Sequence, residues 1–183
     1  ELPMEVVDRL ADEAYGSPLL MQRFCLKICQ EADLLEREEE PIEISIGDGA
    51  LLSILKQVAE QFGFPAYKKL SEGPQARSDR NARALRDGSG AVDIYQAVLR
   101  AVAVTGPKPT LHYNEIRDSL RTLLKDTDVP QKHEVSNALK NMTRIAKENI
   151  DGEPVLEWME DTLYLTDPSF MFYMRWKQSG ASD

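Results

Sequence analysis

The sequence predicts a mainly α-helical protein, because apolar residues recur every three or four positions through most of its 183 residues. One stretch departs from this period: residues 155–159 and 162–166 alternate in polarity around Glu160-Asp161, which is typical of a β-hairpin. Three helical segments precede this hairpin, and an aromatic helix follows it. Helix, helix, helix and hairpin is the order of a winged helix-turn-helix. We therefore expect a small helical bundle followed by a winged helix-turn-helix domain with a β-hairpin wing.

Composition is that of a soluble globular protein: 42% of residues are hydrophobic, 29% are charged, and the net charge is −9. No apolar run approaches the ~20 residues that a membrane span needs, and the N-terminus carries no secretory signal. The lack of an initiator Met at Glu1 suggests a piece of a longer protein. Cys25 and Cys29 lie four residues apart without metal-ligand spacing, so we expect buried, inert thiols in a reducing, cytoplasmic setting.

Residues 1–64 form the predicted helical bundle. An apolar stripe near the N-terminus predicts a first helix. Ser17, which can cap a helix, and Pro18, which fits a first turn, predict the start of a second helix. Asp48 is expected to cap a third helix, and the alternation of isoleucines over residues 42–46 predicts a short extended stretch before it.

Residues 65–90 read as a connector, because Gly, Pro, Ser and scattered charges replace the apolar period there. A short helix over residues 79–85 is the one regular element expected in this segment. The connector is rich in cations: Lys68, Lys69, Arg77, Arg80, Arg83 and Arg86. Two interpretations stay open, a solvated linker and a basic strip that contacts phosphate or an acidic neighbour.

Residues 91–180 form the predicted winged-helix domain, with helices over 91–104, 113–124 and 131–148 ahead of the hairpin. One face of the third helix is apolar, and the opposite face carries a stripe of polar residues spaced four and three apart. These stripe residues are His133, Asn137, Lys140, Arg144 and Lys147.

The stripe has three interpretations. In a major groove, its amide and guanidinium groups would suit base edges and its lysines would suit phosphates, so all five residues are candidates for DNA binding. The same stripe is also typical of a solvated helix face or of a protein-docking, autoinhibitory module. Acidic residues beside it weigh against DNA, because they would face phosphate. They are Glu134, Glu148, Glu157, Glu160 and Asp161.

Two stretches resemble parts of STAND-type and archaeal-type AAA+ ATPases. Ala14-Tyr15-Gly16-Ser17-Pro18-Leu19-Leu20 resembles the Gly-x-Pro turn of their helical lid. The sequence Leu-Tyr-Leu-Thr-Asp-Pro-Ser-Phe-Met-Phe-Tyr-Met-Arg-Trp at 163–176 is similar to the end of their C-terminal winged-helix domain, where a hairpin leads into a D-P-x-F-x-F-Y-x-R-W helix. The two stretches frame the chain.

The resemblance implies a nucleotide site at the lid turn. In those families the proline of the turn lies against the nucleotide base, and the lid reports whether ATP or ADP is bound. By position, this implies nucleotide contacts at Gly16 and Pro18. It also implies that Arg23, just over one turn into the next helix, can act as a sensor arginine toward phosphate.

The catalytic parts of such an ATPase are missing from this sequence. A P-loop, G-x-x-x-x-G-K-[ST], needs a Gly-Lys pair, and the chain contains none. We therefore expect no catalysis and no bound cofactor here, with ATP or ADP and magnesium held by a core upstream of Glu1. His112 and His133 lie 21 residues apart without a cluster of Cys or carboxylates, so no metal site is expected.

These observations give two hypotheses of function. In the first, the chain is the regulatory C-terminal part of a cytoplasmic P-loop ATPase. Its winged helix couples the ATPase state to double-stranded DNA or to a protein partner, and homo-oligomerisation is compatible with this role. In the second, it is a winged-helix transcriptional regulator that binds DNA and dimerises through the first bundle.

Overall fold

The computed structural model describes residues 1–34, 36, 40–75, 80–150 and 152–179. The expected contribution of Arg77 to the connector, and the beginning of the helix expected at Asp79, lie outside these described residues. Within the described ranges no helix is both long and apolar enough to cross a membrane.

The described residues are mainly helical, as predicted. Eight α-helices are present in them: α1 Met4–Glu13, α2 Pro18–Glu31, α3 Asp48–Phe62, α4 Phe64–Glu72, α5 Ile94–Val104, α6 Tyr113–Leu123, α7 Lys132–Glu148 and α8 Pro168–Ser179. Two small antiparallel sheets complete the fold. They are formed by β1 Arg83–Ala84 with β2 Ala91–Val92, and by β3 Thr110–His112, β4 Leu156–Met159 and β5 Thr162–Leu165 in the order β3-β5-β4.

The first three helices follow the sequence signals closely. The Ser17 hydroxyl accepts a hydrogen bond from the Leu20 N–H, and Pro18 occupies the first turn of α2, as predicted. Asp48 was expected to cap α3, but it is the first helical residue and Gly47 takes the cap position without a side-chain bond. Residues 42–46 belong to no sheet, although the Ile44 N–H donates to the carbonyl of Glu1 at 2.8 Å.

The connector contains a helix that the sequence analysis did not predict. Gly63 ends α3, Pro65 fits the first turn of α4, and the new helix buries Tyr67 and Leu70. The prediction of a short helix over residues 79–85 is wrong for residues 80–85, the part of that range that the structure describes. Arg83–Ala84 instead form β1, which pairs with β2 across a Gly-rich turn.

Three connector arginines form ion pairs within the protein, so they are not a free basic strip. Arg80 pairs with Asp93 at 2.7 Å, and its guanidinium lies 4.6 Å from the centroid of the Tyr95 ring. The other two ion pairs, each at 2.6 Å, join Arg83 to Glu134 and Arg86 to Asp126. The second interpretation of this segment included contact with an acidic neighbour. Such contacts are observed for these three arginines, and the acidic neighbours belong to the same chain.

The C-terminal helices and the hairpin lie where they were predicted. Helix α7 buries the whole apolar face that the sequence indicated: Val135, Ala138, Leu139, Met142, Ile145 and Ala146. Glu160 and Asp161 join β4 to β5 with φ values of 50° and 59°, the left-handed conformation of a type I′ hairpin turn. Strand β3, which was not predicted, adds a third strand by pairing with β5.

Helix α8 connects the two halves of the protein. It belongs to the segment predicted as the winged-helix domain, but it lies against α3 and α4 as well as α5 and β5. Phe172 is fully buried, with its ring centroid 5.0 Å from that of Phe24 in α2. Tyr173 lies 5.2 Å from the ring of Tyr67 in α4. The bundle, the connector and the C-terminal segment therefore share one hydrophobic core.

A carboxylate at the start of α7, that of Glu134, is expected to make the protein less stable at acid pH. The Glu134 carboxylate accepts the Gln131 N–H at 2.8 Å and pairs with Arg83, and these contacts lower the pKa of Glu134. A carboxyl whose pKa is lower in the folded protein stabilises it above the unfolded pKa, and that stabilisation is lost as pH falls through the folded pKa.

We therefore expect Glu134→Gln to lower the free energy of unfolding at pH 7 by roughly 0.5–1 kcal/mol, because the amide still caps the helix but loses the charge. At pH 3 the variant and the parent should be nearly equal, as urea unfolding at both pH values would show. Glu148→Gln, on an exposed pair of the same helix, is the control. An equal loss at both pH values contradicts the assignment.

Candidate functional site

The turn between α1 and α2 holds two of the three residues implicated in nucleotide contact. Tyr15 and Gly16 adopt left-handed conformations with φ of 49° and 70°, and the Ser17 N–H closes the turn on the Ala14 carbonyl at 2.8 Å. A left-handed Tyr costs about 1 kcal/mol, whereas Gly accepts this conformation freely. Gly16 and Pro18 are both exposed. The turn is therefore a fixed, accessible edge of the bundle.

We call this turn the lid turn, after the resemblance described above, and it is tied to α8. The guanidinium of Arg175 lies 3.7 Å from the carboxylate of Glu13, which is only 7% exposed, and it also hydrogen-bonds Tyr15. Burial raises the pKa of Tyr15, and the bond to Arg175 opposes that rise. One residue of α8 therefore holds both the end of α1 and the first residue of the turn. Sequence reasoning missed this contact because 160 residues separate Tyr15 from Arg175.

Arg23 does not converge with the turn. It lies five residues after Pro18, which places the two side chains roughly 140° apart around α2. Its guanidinium carbon is 3.4 Å from the centroid of the Phe62 ring, and Nη1 donates to the hydroxyl of Ser169 at 3.3 Å. Burial lowers the pKa of Arg23, and the charge of Asp167 opposes this. In this conformation Arg23 joins α2 to α3 and α8.

The second surface is formed by α7 and the β4–β5 hairpin. All five residues of the predicted stripe are exposed: His133, Asn137, Lys140, Arg144 and Lys147. The hairpin lies beside this stripe, and the Trp158 N–H of β4 donates to the Thr143 hydroxyl of α7 at 2.9 Å. We call this surface the α7–hairpin face. Its charged residues are Lys132, Lys140, Arg144, Lys147, Glu148, Glu157, Glu160 and Asp161.

Most charges on the α7–hairpin face are paired within the protein. The hairpin supplies Asp161 to Lys132 at 2.6 Å and Glu157 to Lys147 at 2.5 Å. Arg144 pairs with Glu148 along α7 at 3.4 Å. The face carries four cations and four anions, so its net charge is zero with His133 neutral. The hairpin acids thus neutralise the stripe that the sequence presented as basic.

A groove runs between α7 and the hairpin. It is open to solvent, has a volume of about 480 Å³, and is lined by Ser136, Lys140, Trp158, Met159, Glu160 and Asp161. Met159, the last residue of β4, is 52% exposed. Among the charged residues of this face, only Lys140 and Glu160 have no ion pair with a described residue. Sequence reasoning gave no role to Met159 or Ser136.

The two cysteines offer no second site. Both are free and half-buried rather than buried as predicted. Burial raises the pKa of Cys25, so its thiol stays protonated and weakly nucleophilic at neutral pH. Within the described residues, no group of three or more His, Cys, Asp or Glu side chains is placed to hold a metal ion.

Comparison with known proteins gives no match among protein-family models, curated proteins or solved structures. The functional interpretation therefore depends on the contacts and charges of this chain. The resemblance to AAA+ ATPases adds the expectation of nucleotide contact at Gly16 and Pro18, which are both exposed.

Proposed function

We propose that this chain is the regulatory C-terminal part of a cytoplasmic P-loop ATPase. In this proposal α5, α6 and α7 with the β4–β5 hairpin form a winged helix-turn-helix, and the bundle acts as the nucleotide lid. The lid turn contacts the nucleotide base through Gly16 and Pro18, and the α7–hairpin face contacts a partner. ATP or ADP with magnesium would be held mainly by an upstream core, and the described residues perform no catalysis.

The observation that carries this proposal is the position of α8. Arg175 of α8 contacts the end of α1 and Tyr15 of the lid turn, and Phe172 packs against Phe24 of α2. The same helix lies against α5 and β5 of the C-terminal half. Because close-packed interiors transmit strain, a displacement of the lid turn can reach α5 through α8, and α7 through α5. Nucleotide can bias such a motion only by binding its two states with different affinity.

Charge on the α7–hairpin face favours a protein partner. Non-specific DNA affinity comes from cations that neutralise phosphates, and this face has no net charge to contribute. The hairpin acids would also lie nearest the DNA backbone. Met is enriched in protein–protein interfaces, and Met159 is exposed on this face. We therefore place the coupling between ATPase state and a protein partner ahead of coupling to DNA.

The nucleotide part of the proposal is tested in the longer gene product. The coding sequence upstream of the Glu1 codon should encode a G-x-x-x-x-G-K-[ST] motif. In that product, Pro18→Ala should raise the KM for ATP several-fold with kcat nearly unchanged, because a base contact is equally strong in the ground and transition states. Pro41→Ala, at an exposed proline outside the turn, is the control. A coding sequence without a P-loop, or an unchanged KM, contradicts the proposal.

A DNA-binding transcriptional regulator is the second candidate, favoured by the exposure of all five stripe residues on α7. Fluorescence anisotropy with labelled duplex DNA, at low salt and at rising salt, tests contact with DNA, and the presence or absence of an upstream P-loop then distinguishes a DNA-coupled ATPase from a regulator. We expect binding no tighter than about 100 μM at physiological salt, the weak end of non-specific affinity. Micromolar binding that weakens steeply with salt, and that is lost in the Lys140→Glu/Arg144→Glu variant, would support the regulator instead. Lys56→Glu/Lys68→Glu, with the same change of charge at exposed positions elsewhere, is the control.

A further inference from the structure

The groove between α7 and the hairpin carries one uncompensated charge of each sign. Lys140 lines its α7 side and Glu160 lines its hairpin side, and neither has an ion pair with a described residue. Met159 lines the same groove and is half exposed. The remaining charges of the face are compensated by their neighbours, so these three side chains determine what can be bound there.

We propose that the α7–hairpin face binds a second copy of itself and forms a two-fold symmetric dimer. The inference rests on the part of the proposed function that assigns this face to protein contact. It does not depend on nucleotide contact at the lid turn.

Self-complementarity favours this occupant. In a two-fold interface the same patch is used twice, so every group must meet its complement within the patch itself. A two-fold axis through the groove places Lys140 opposite Glu160 of the partner subunit. By symmetry the same axis places Glu160 opposite Lys140 of the partner subunit. Met159 then lies close to the axis, where it packs against the partner's Met159. A strongly acidic or strongly basic partner would leave one of the two charges facing a like charge.

The size of the face sets the expected affinity. Helix α7 is about 25 Å long, and with the hairpin beside it the face is roughly 20 Å wide. Pairing two such faces buries about 1,000 Å² in total, the lower limit for a specific interface. We therefore expect a weak dimer with a dissociation constant on the order of 10–100 μM, which weakens as salt screens its exposed charges.

Charge reversal with rescue tests the dimer. Sedimentation velocity of this chain, from about 5 to 500 μM, should show concentration-dependent dimerisation. Lys140→Glu and Glu160→Lys should each weaken it at least about tenfold, because each places two like-charge pairs across the axis. The double variant Lys140→Glu/Glu160→Lys should return to within about threefold of the parent. Lys56→Glu makes the same charge change on the exposed side of α3 and should leave the dimer unchanged.

Each other outcome overturns the dimer proposal, and the outcomes are distinguishable. If the chain is a monomer at every concentration and does not bind duplex DNA, the partner of this face is not a second copy, and another protein remains as the partner. A second outcome is a monomer that binds duplex DNA. If Lys140→Glu abolishes this DNA binding and Glu160→Lys strengthens it, the assignment of this face to protein contact is also wrong. A dimer that neither single reversal weakens is formed by another surface.

Discussion

Replacing Phe172 by Ala should lower the free energy of unfolding by about 3–5 kcal/mol, the cost of truncating a large buried aromatic. The side chain is fully buried, lies edge-to-face with Phe24 at 5.0 Å, and packs against Trp176 at 5.9 Å. The substitution leaves a cavity between α8 and α2 and removes two aromatic contacts, each worth roughly 0.5–1.5 kcal/mol beyond burial. A loss of this size is a large fraction of the stability of a typical domain.

This variant also tests the shared core. Because α8 packs against the bundle and against the C-terminal helices, both halves should lose amide protection together in hydrogen exchange. The control is Phe64→Ala, since the Phe64 ring is 43% exposed and lies 6.0 Å from the ring of Tyr173 in α8; we expect a loss of about 1 kcal/mol or less. If α7 loses protection while α2 and α3 keep theirs, the bundle and the C-terminal half are separate folding units.

Local patterns were enough to predict much of the fold. Helix α7 has 17 residues, a continuous apolar face and a capping box in which Glu134 and Gln131 bond reciprocally, so period and cap agree. The hairpin has alternating strands around two residues that the turn places in the left-handed region. These two elements, whose signals lie within one segment of sequence, were therefore predicted correctly.

Elements defined by distant partners were not predicted. Strand β3 has three residues, too few for an alternating pattern, and its partner β5 lies about 50 residues away. Helix α4 presents only a narrow apolar stripe, and its burial depends on Tyr173 of α8. The connector arginines likewise pair with residues of other segments: Asp93, Glu134 and Asp126. Helical or strand periodicity within one segment cannot predict such pairs.

The candidate site shows the same division. Sequence identified the lid turn and the outward stripe of α7, because both are local features. It did not reveal that α8 holds the turn through Arg175 or that Arg23 stacks on Phe62. It flagged the hairpin acids, but only the fold shows that Glu157 pairs with Lys147 of the stripe and that Asp161 pairs with the neighbouring Lys132. The choice between a protein partner and DNA therefore depends on tertiary pairing.

Gly63→Ala should be the second strongly destabilising change, with a loss of about 2–3 kcal/mol. A Cβ at this position would lie 2.1 Å from the Cβ of Tyr173 and 2.7 Å from the backbone oxygen of Ser169. Neither atom is the end of a flexible side chain, so α8 itself must move away from the junction of α3 and α4. The backbone of Gly63 has a negative φ that any residue can adopt, so steric contact with α8 is the cause of the loss.

Gly49→Ala is the matched control, because it makes the same substitution in α3 where the added Cβ meets open space. That variant should gain about 0.5–1 kcal/mol from helix propensity, opposite in sign to Gly63→Ala. Urea unfolding of the two variants measures both effects. Since displacement of α8 also draws Arg175 away from Glu13 and Tyr15, Gly63→Ala should raise hydrogen exchange at the lid turn, while Gly49→Ala should not. Equal stabilities for the two variants would mean that α8 does not pack closely on Gly63, and the physical link from the lid turn to the α7–hairpin face would lose its main support.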